Sequence, residues 1–204
     1  MYKLTNQDMQ TYNDFQWQLN KWYEIKNPDE NEDLCTDKWF HFYYHPLLAV
    51  LFNPIHANID KPWLFQLEVG GLQKNDNGLK GGCTKMRLVK EVELPEITIE
   101  QRVKFAILCA LEVCNNDDFT KWAKNWLSGK NRTAAAAYAA ADATSDAYAA
   151  YAAAHAAYAA AHAADAANIV KAANVAKAAA YAAAYAAYAK SDLDLILLAK
   201  KAVK

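Results

Sequence analysis

At 204 residues, with 54% apolar and 12% aromatic side chains, the chain has a globular composition and material for one large domain or two small ones. Its 22 Lys and Arg face 23 Asp and Glu, so the formal charge of -1 gives no global basic field and disfavours nucleic acid as a partner. Cys35, Cys83, Cys109 and Cys114 form neither a CxxC pair nor a zinc spacing, and the N-terminal residues lack the charged and apolar regions of a secretion signal, which points to a reduced, cytoplasmic setting.

Residues 1–95 read as an aromatic-rich α+β head built on a small antiparallel sheet. Phe15, Trp17 and Leu19 alternate with polar residues, the period of a half-buried strand, and residues 21–25 are the expected hairpin partner across Asn20. A polar, acidic loop over 26–37 leads into Trp39-Phe40-His41-Phe42-Tyr43-Tyr44, a strand by its aromatic content. His45-Pro46 opens a short helix, because proline suits a first helical turn, and the helix stops after Phe52, before Pro54. Residues 63–69 and 86–94 are two further strands, and the glycine-rich stretch between them, from Gly70-Gly71 to Gly81-Gly82, reads as a flexible hairpin loop. Neither GxGxxG nor GxxxxGK[ST] occurs there and no long helix follows directly, so the loop does not read as a phosphate cradle.

Residues 96–130 carry two helices expected to dock the following segment onto the head. Thr98 and Gln101 have capping-box spacing ahead of Val103, Phe105, Ile107, Leu108 and Leu111. Asp117 or Asp118 caps the next helix, whose Phe119, Trp122 and Trp126 make one apolar stripe that Gly129 closes.

Residues 131–204 read as an alanine-rich helical bundle. Alanine loses no side-chain entropy in a helix, and no Gly or Pro follows Gly129. Tyr138, Tyr148, Tyr151, His155, Tyr158, His162 and Asp165 share one seam of a seven-residue repeat. Tyr181, Tyr185 and Tyr188 keep the spacing but are displaced by two residues, about 200° around a helix. A single rod over 133–190 would run on the order of 85 Å, so a fold-back is expected, with a break within 142–146 or 168–174. The first seam is assigned to the bundle core and the second row to its outside. The uncharged run over 147–164 is alanine with Tyr and His in place of Leu, Ile or Phe, which argues against a membrane span. Leu195 to Leu198, followed by Lys200 and Lys201, reads as a last helix.

Candidate ligand-binding residues lie in the head: Trp39, His41, Tyr43 and His56, imidazoles among aromatic faces suited to a nucleotide-like small molecule. Candidate partner-binding residues are Tyr181, Tyr185 and Tyr188, since tyrosine is rigid, amphipathic and favoured at interfaces, and a homo-oligomer is expected to cover them. His155 and His162 stand two turns apart, on the order of 10 Å, too far to share one ion. No catalytic constellation, metal site or cofactor motif is found in the sequence.

Tyr2-Lys3, Trp22-Tyr23-Glu24, Leu34-Cys35 before Trp39-Phe40-His41, Pro46-Leu47, Leu67-Glu68-Val69 and Val89-Lys90-Glu91-Val92 together resemble a small domain of unknown function found mainly in tailed bacteriophages and prophages. Trp39-Phe40-His41-Phe42-Tyr43 stands where that family commonly has Gly-Phe-His-Ala-Cys. The segment from Gln101 onward is similar in layout to alanine-rich helical proteins labelled as bacterial immunity proteins. A strand with an aromatic and His41, followed by Pro46 and a short helix, also resembles the nucleotide-side strand of ADP-ribosyltransferase-like folds, without an identifiable Arg, second aromatic and Glu to complete that site. The resemblances imply a phage or prophage accessory protein without implying a chemistry. The lack of a catalytic constellation, together with a smooth helical surface studded with Tyr, leads to the expectation that it acts in the host cytoplasm by non-enzymatic binding, blocking or sequestering a host component, as in counter-defence. The alternative is a nucleotide-type small-molecule binder, or a degenerate ADP-ribosyltransferase-like enzyme, using the head around His41.

Overall fold

A computed structural model of the protein describes residues 1–142, 147–164 and 169–204. The chain divides into two compact units, Met1–Glu96 and Ile97–Lys204. Sheet and helices segregate along the chain, as an α+β protein requires.

The first unit contains β1 (Tyr2–Thr5), β2 (Gln10–Thr11), β3 (Phe15–Gln16), β4 (Trp22–Glu24), β5 (Phe40–Phe42), α1 (Pro46–Phe52), β6 (Trp63–Asp76) and β7 (Lys80–Val92). Strands β6 and β7 form a long antiparallel hairpin, turned at Asn77 and Gly78, which take positive φ of 45° and 79° at the low cost typical of these residues. On this hairpin β1 pairs with β6, and β4 and β5 pair with different stretches of β7, all antiparallel. Tyr2 and Tyr43 exchange both backbone hydrogen bonds at 2.8 Å, so β5 returns to β1 and that end of the sheet closes on itself. Trp17, Phe42, Phe65, Leu67, Cys83, Met86 and Leu88 fill the core. Helix α1, capped by the His45 side chain accepting from the Leu47 N–H, packs against β1.

Two expectations for this unit are corrected. Residues 15–19 and 21–25 do not pair as a hairpin: β3 pairs with β2, and β4 pairs with β7. The Trp17 ring instead turns into the core, its indole N–H donating to Thr11 Oγ1 at 2.9 Å. The glycine-rich stretch is largely strand. Gly81 and Gly82 lie in β7 because the Phe42 ring and the Leu34 side chain occupy the space that a Cβ would need, so the glycines serve close packing inside the sheet.

The second unit contains α2 (Ile99–Leu111), α3 (Asp117–Leu127), α4 (Ala134–Asp142), α5 (Ala147–Ala164), α6 (Ile169–Ala189) and α7 (Leu195–Ala202). Thr98 and Gln101 make a reciprocal capping box, while the next N-cap is Asn116 rather than either aspartate. Helix α2 packs against α5, α6 and α7, and α4 packs against α5. The helical stretch is therefore folded back. The residues 143–146 and 165–168, which hold most of one expected break, the start of the other and Asp165, lie outside the described residues.

The core of this unit inverts the expected one. Ala152, Ala153, Ala156, Ala157 and Ala160 of α5, and Ala179, Ala182, Ala183, Ala186 and Ala187 of α6, are buried, whereas Tyr148, Tyr151 and Tyr158 are exposed and His155 and His162 are partly so. Methyl groups let helices approach near the lower end of the usual interaxial range, about 8 Å, and the bulky seam is left outside. Among the described residues no helix is long and apolar enough to cross a membrane. Because the interior is filled by methyl groups at close approach, Ala183→Leu overpacks it. The expected loss is about 1–3 kcal/mol in urea unfolding, while Ala189→Leu, at an exposed position of the same helix, is close to neutral.

Candidate functional site

Directly opposed residues in an antiparallel pair share a face, as do alternate residues along one strand. His41 opposes Gly82, Lys74 opposes Gly82 and Asp76 opposes Lys80, so His41, Lys74, Asp76 and Lys80 share one face around Gly82. Residues 26–38 cross this face as a strap. The Glu32 carbonyl accepts from Trp39 Nε1 at 3.1 Å and from Lys74 Nζ at 2.9 Å. The Leu34 carbonyl accepts from His41 Nε2, Lys80 Nζ donates to Cys35 Sγ at 3.3 Å, and the Leu34 side chain lies on Gly82.

The turn after α1 contributes the second histidine. His56 Nδ1 meets the Tyr43 hydroxyl at 3.4 Å, and the two rings stack with centroids 5.9 Å apart. Phe52 also stacks with the same imidazole, its ring centroid 5.5 Å away. The structure thus brings Tyr43 and His56 into contact, sets His41 and Lys80 on one face of the sheet, and places Trp39 against Lys74, whose ammonium is 5.9 Å from the indole centroid. Lys80 and Lys74 were not singled out by sequence. Their signal, alternation with Gly82 across two paired strands, is invisible while the stretch is read as a loop.

Electrostatics in this cluster favour neutral side chains. Burial, together with the nearby ammonium groups of Lys3 and Lys80, lowers His41 to about 4 against the partial support of the Leu34 carbonyl. Burial, Lys80 and His41 lower His56 to about 3. Burial also raises the Tyr43 phenol, which stays protonated beside His56 Nδ1. On the opposite face Lys3 extends into the core, donating to the His41 carbonyl at 2.8 Å and lying 5.1 Å from the Trp17 ring centroid. Burial lowers its ammonium to about 8 and raises the Cys83 thiol to about 12.

In the second unit, Tyr181, Tyr185 and Tyr188 of α6 meet the seam of α5. Centroids lie 5.9 Å apart for Tyr148 and Tyr188, 5.3 Å for Tyr151 and Tyr185, and 5.5 Å for His155 and Tyr181. Numbers rise along one helix as they fall along the other, so α5 and α6 run antiparallel with both aromatic rows on one seam. The displacement of two residues would have opposed the rows on one continuous helix, and it has no such meaning across a fold-back. The seam continues through His155 to Tyr158, and from Tyr158 to Tyr138 of α4 at 6.1 Å. Tyr148, Tyr151 and Tyr188 are 53%, 58% and 46% exposed, and Tyr181 and Tyr185 are partly buried beneath them.

Residues 1–100 match the family model described as a domain of unknown function, DUF7666. No curated protein matches the chain. No solved structure matches it.

The buried histidines set an acid limit to stability. Unfolded, each takes its proton near pH 6.5; folded, only near 4 for His41 and 3 for His56. Below pH 6.5 the unfolded chain binds more protons, so stability falls with falling pH through those folded values, and above pH 6.5 the contribution is complete. The slope is about 1.4 kcal/mol per pH unit for each histidine. Urea unfolding is expected to show a loss of a few kcal/mol from pH 6.5 to 4, which His41→Gln and His56→Gln each reduce; an unchanged slope in both variants would place the loss elsewhere.

Proposed function

We propose that the protein is a phage or prophage accessory protein that acts without catalysis, in the cytoplasm of a bacterial host, by binding a host protein and blocking or sequestering it. The observation that carries this reading is the aromatic seam of α5 and α6, with Tyr148, Tyr151 and Tyr188 outermost and Tyr181 and Tyr185 supporting them. Rigid rings with a polar tip give contact area at little entropic cost and are the residue type most enriched at binding hot spots. Neither α5 nor the tyrosine-bearing part of α6 carries a charged side chain. The seam therefore suits an uncharged protein surface rich in carbonyl acceptors, and its binding resists salt.

The same seam pairs with a second copy of the chain when no host partner is present. Half-exposed rings contribute on the order of 100 Å² each, so Tyr148, Tyr151 and Tyr188 supply roughly 300 Å² at the centre of the roughly 800 Å² that one partner buries in a specific interface, and the helix surface flanking them supplies the rest. Sedimentation equilibrium is expected to find a dimer at micromolar concentration that Tyr151→Ser with Tyr188→Ser converts to a folded monomer. The host protein retained by the unmodified chain is expected to stay bound in 0.5 M NaCl and to lose at least about tenfold in affinity for the double variant. Retention that is equal for both chains, with an unmodified chain that is monomeric, would remove the seam as the binding surface.

A further inference from the structure

Cys35 is the thiol that solvent reaches: it is exposed, whereas Cys83, Cys109 and Cys114 are buried. It does not stand alone. Lys80, 8% exposed, directs its Nζ onto the Cys35 sulfur at 3.3 Å, and among the described residues this amine has no other hydrogen bond. Asp76 opposes Lys80 in the ladder of β6 and β7 but forms no ion pair with it. Both reaction partners are held in place. Lys80 opens β7 and is fixed by that ladder, while the strap residues before Cys35 are pinned to the sheet. The Glu32 carbonyl accepts from Trp39 and Lys74, the Leu34 carbonyl accepts from His41, and the Leu34 side chain lies on Gly82. A contact held in this way makes a reaction between the two groups intramolecular.

A solvent-exposed thiol is open to hydroperoxides, and the sulfenic acid that forms is captured by the nearest nucleophile, a thiol giving a disulfide and a nitrogen giving a sulfenamide. Cys83, next to Gly82 along β7, faces the core on the side of the sheet away from the strap, so the neighbour of Cys35 is the amine. We infer that hydrogen peroxide joins Cys35 to Lys80 through a sulfenamide. In the first step the Cys35 thiol takes one peroxide oxygen: an S–O bond forms, the O–O bond breaks and water leaves. Sulfur gives up two electrons and the peroxide is reduced. In the second, the Lys80 ammonium releases a proton to water and its lone pair forms the S–N bond. The S–O bond breaks, and the hydroxyl departs as water with a second proton from the nitrogen. One thiol, one ammonium and one peroxide thus give one sulfenamide, two waters and one proton. The link ties the strap to β7, where the reduced chain holds it through hydrogen bonds and the packing of Leu34. It is independent of the aromatic seam.

The test treats the full chain with a small excess of hydrogen peroxide, stops the reaction with catalase and reads intact mass and a tryptic map. A product lighter by two hydrogen atoms is expected, in which the peptide carrying Cys35 is joined to one left uncut at Lys80. Dithiothreitol should restore the starting mass and the cut. Because the link closes a long loop, the thermal midpoint of the oxidised chain should rise by about 5–10 °C. Cys35→Ser and Lys80→Met should each abolish the joined peptide, and Cys83→Ser should preserve it. A joined product that is cut at Lys80, that persists in Lys80→Met or that disappears in Cys83→Ser is a disulfide and overturns the inference. So does oxidation of unmodified chain that stops at sulfinic or sulfonic acid on Cys35 with Lys80 unaltered, a readout that depends on no variant.

Discussion

Close approach at missing side chains is the constraint on which both units depend. In β7 the backbone at Gly81 and Gly82 leaves room for the Phe42 ring on one face and Leu34 on the other, so β5 and the strap come down on the same two residues. In α5 and α6 the buried positions are alanine, and the helices meet through methyl groups. A close contact excludes large groups from the interior and sends them to the edges. The half-exposed tyrosines along α5 and α6 are a consequence of that displacement.

Around Lys80 the polar interior is held in place by geometry that other interactions supply. The exchange of backbone hydrogen bonds between Tyr2 and Tyr43 fixes β5 against β1, and the long β6 and β7 ladder fixes Lys74 and Lys80 relative to His41. Trp17, Phe65, Leu67 and Met86 bury enough apolar surface for the unit to tolerate groups whose desolvation is unfavourable. His41 and His56 answer the burial by remaining neutral. Lys80 faces Asp76 across the β6 and β7 pair without a close ion pair, whereas Lys85 and Arg87 pair with exposed glutamates.

The legible parts of the sequence were those governed by local rules. The capping box at Thr98 and Gln101, the proline opening of α1, the stripe of Phe119, Trp122 and Trp126 and the helical nature of the alanine tract depend on neighbours within a few residues. The division of the chain into sheet and helices followed from the same signals. What failed depended on distant partners. Residues 15–19 alternate like a strand, but Trp17 alternates into a core made by β6 and β7, and glycines that read as a loop are strand because Phe42 and Leu34 need their space. His41 was named without its surroundings, since Lys74, Lys80 and the Leu34 carbonyl come onto its face only through the pairing of β5 and β6 with β7 and the passage of the strap. The seam on α5 failed for another reason: hydrophobic periodicity marks which residues share a face, and on an alanine helix the face of larger residues is not the face that packs best.

That last point bears on how much of the tyrosine seam is structural. Tyr185 touches Tyr148, Tyr151, His155 and Tyr181, so its ring ties α5 to α6 along their shared edge. Aromatic pairs of this kind contribute about 0.5–1.5 kcal/mol each beyond their buried area, a sizeable share of the stability of a bundle whose core is methyl groups. Tyr151 sits at the rim, 58% exposed, against Tyr185 alone among the ring contacts described. A lysine or glutamate at position 151 would serve a solvent-facing helix better on solubility grounds, and with a net charge of -1 the chain has little electrostatic repulsion to keep copies apart. Stability explains Tyr185, and Tyr188 packs on Tyr148 in the same way; it accounts least for Tyr151, the position on which the proposal of a protein-binding seam leans most.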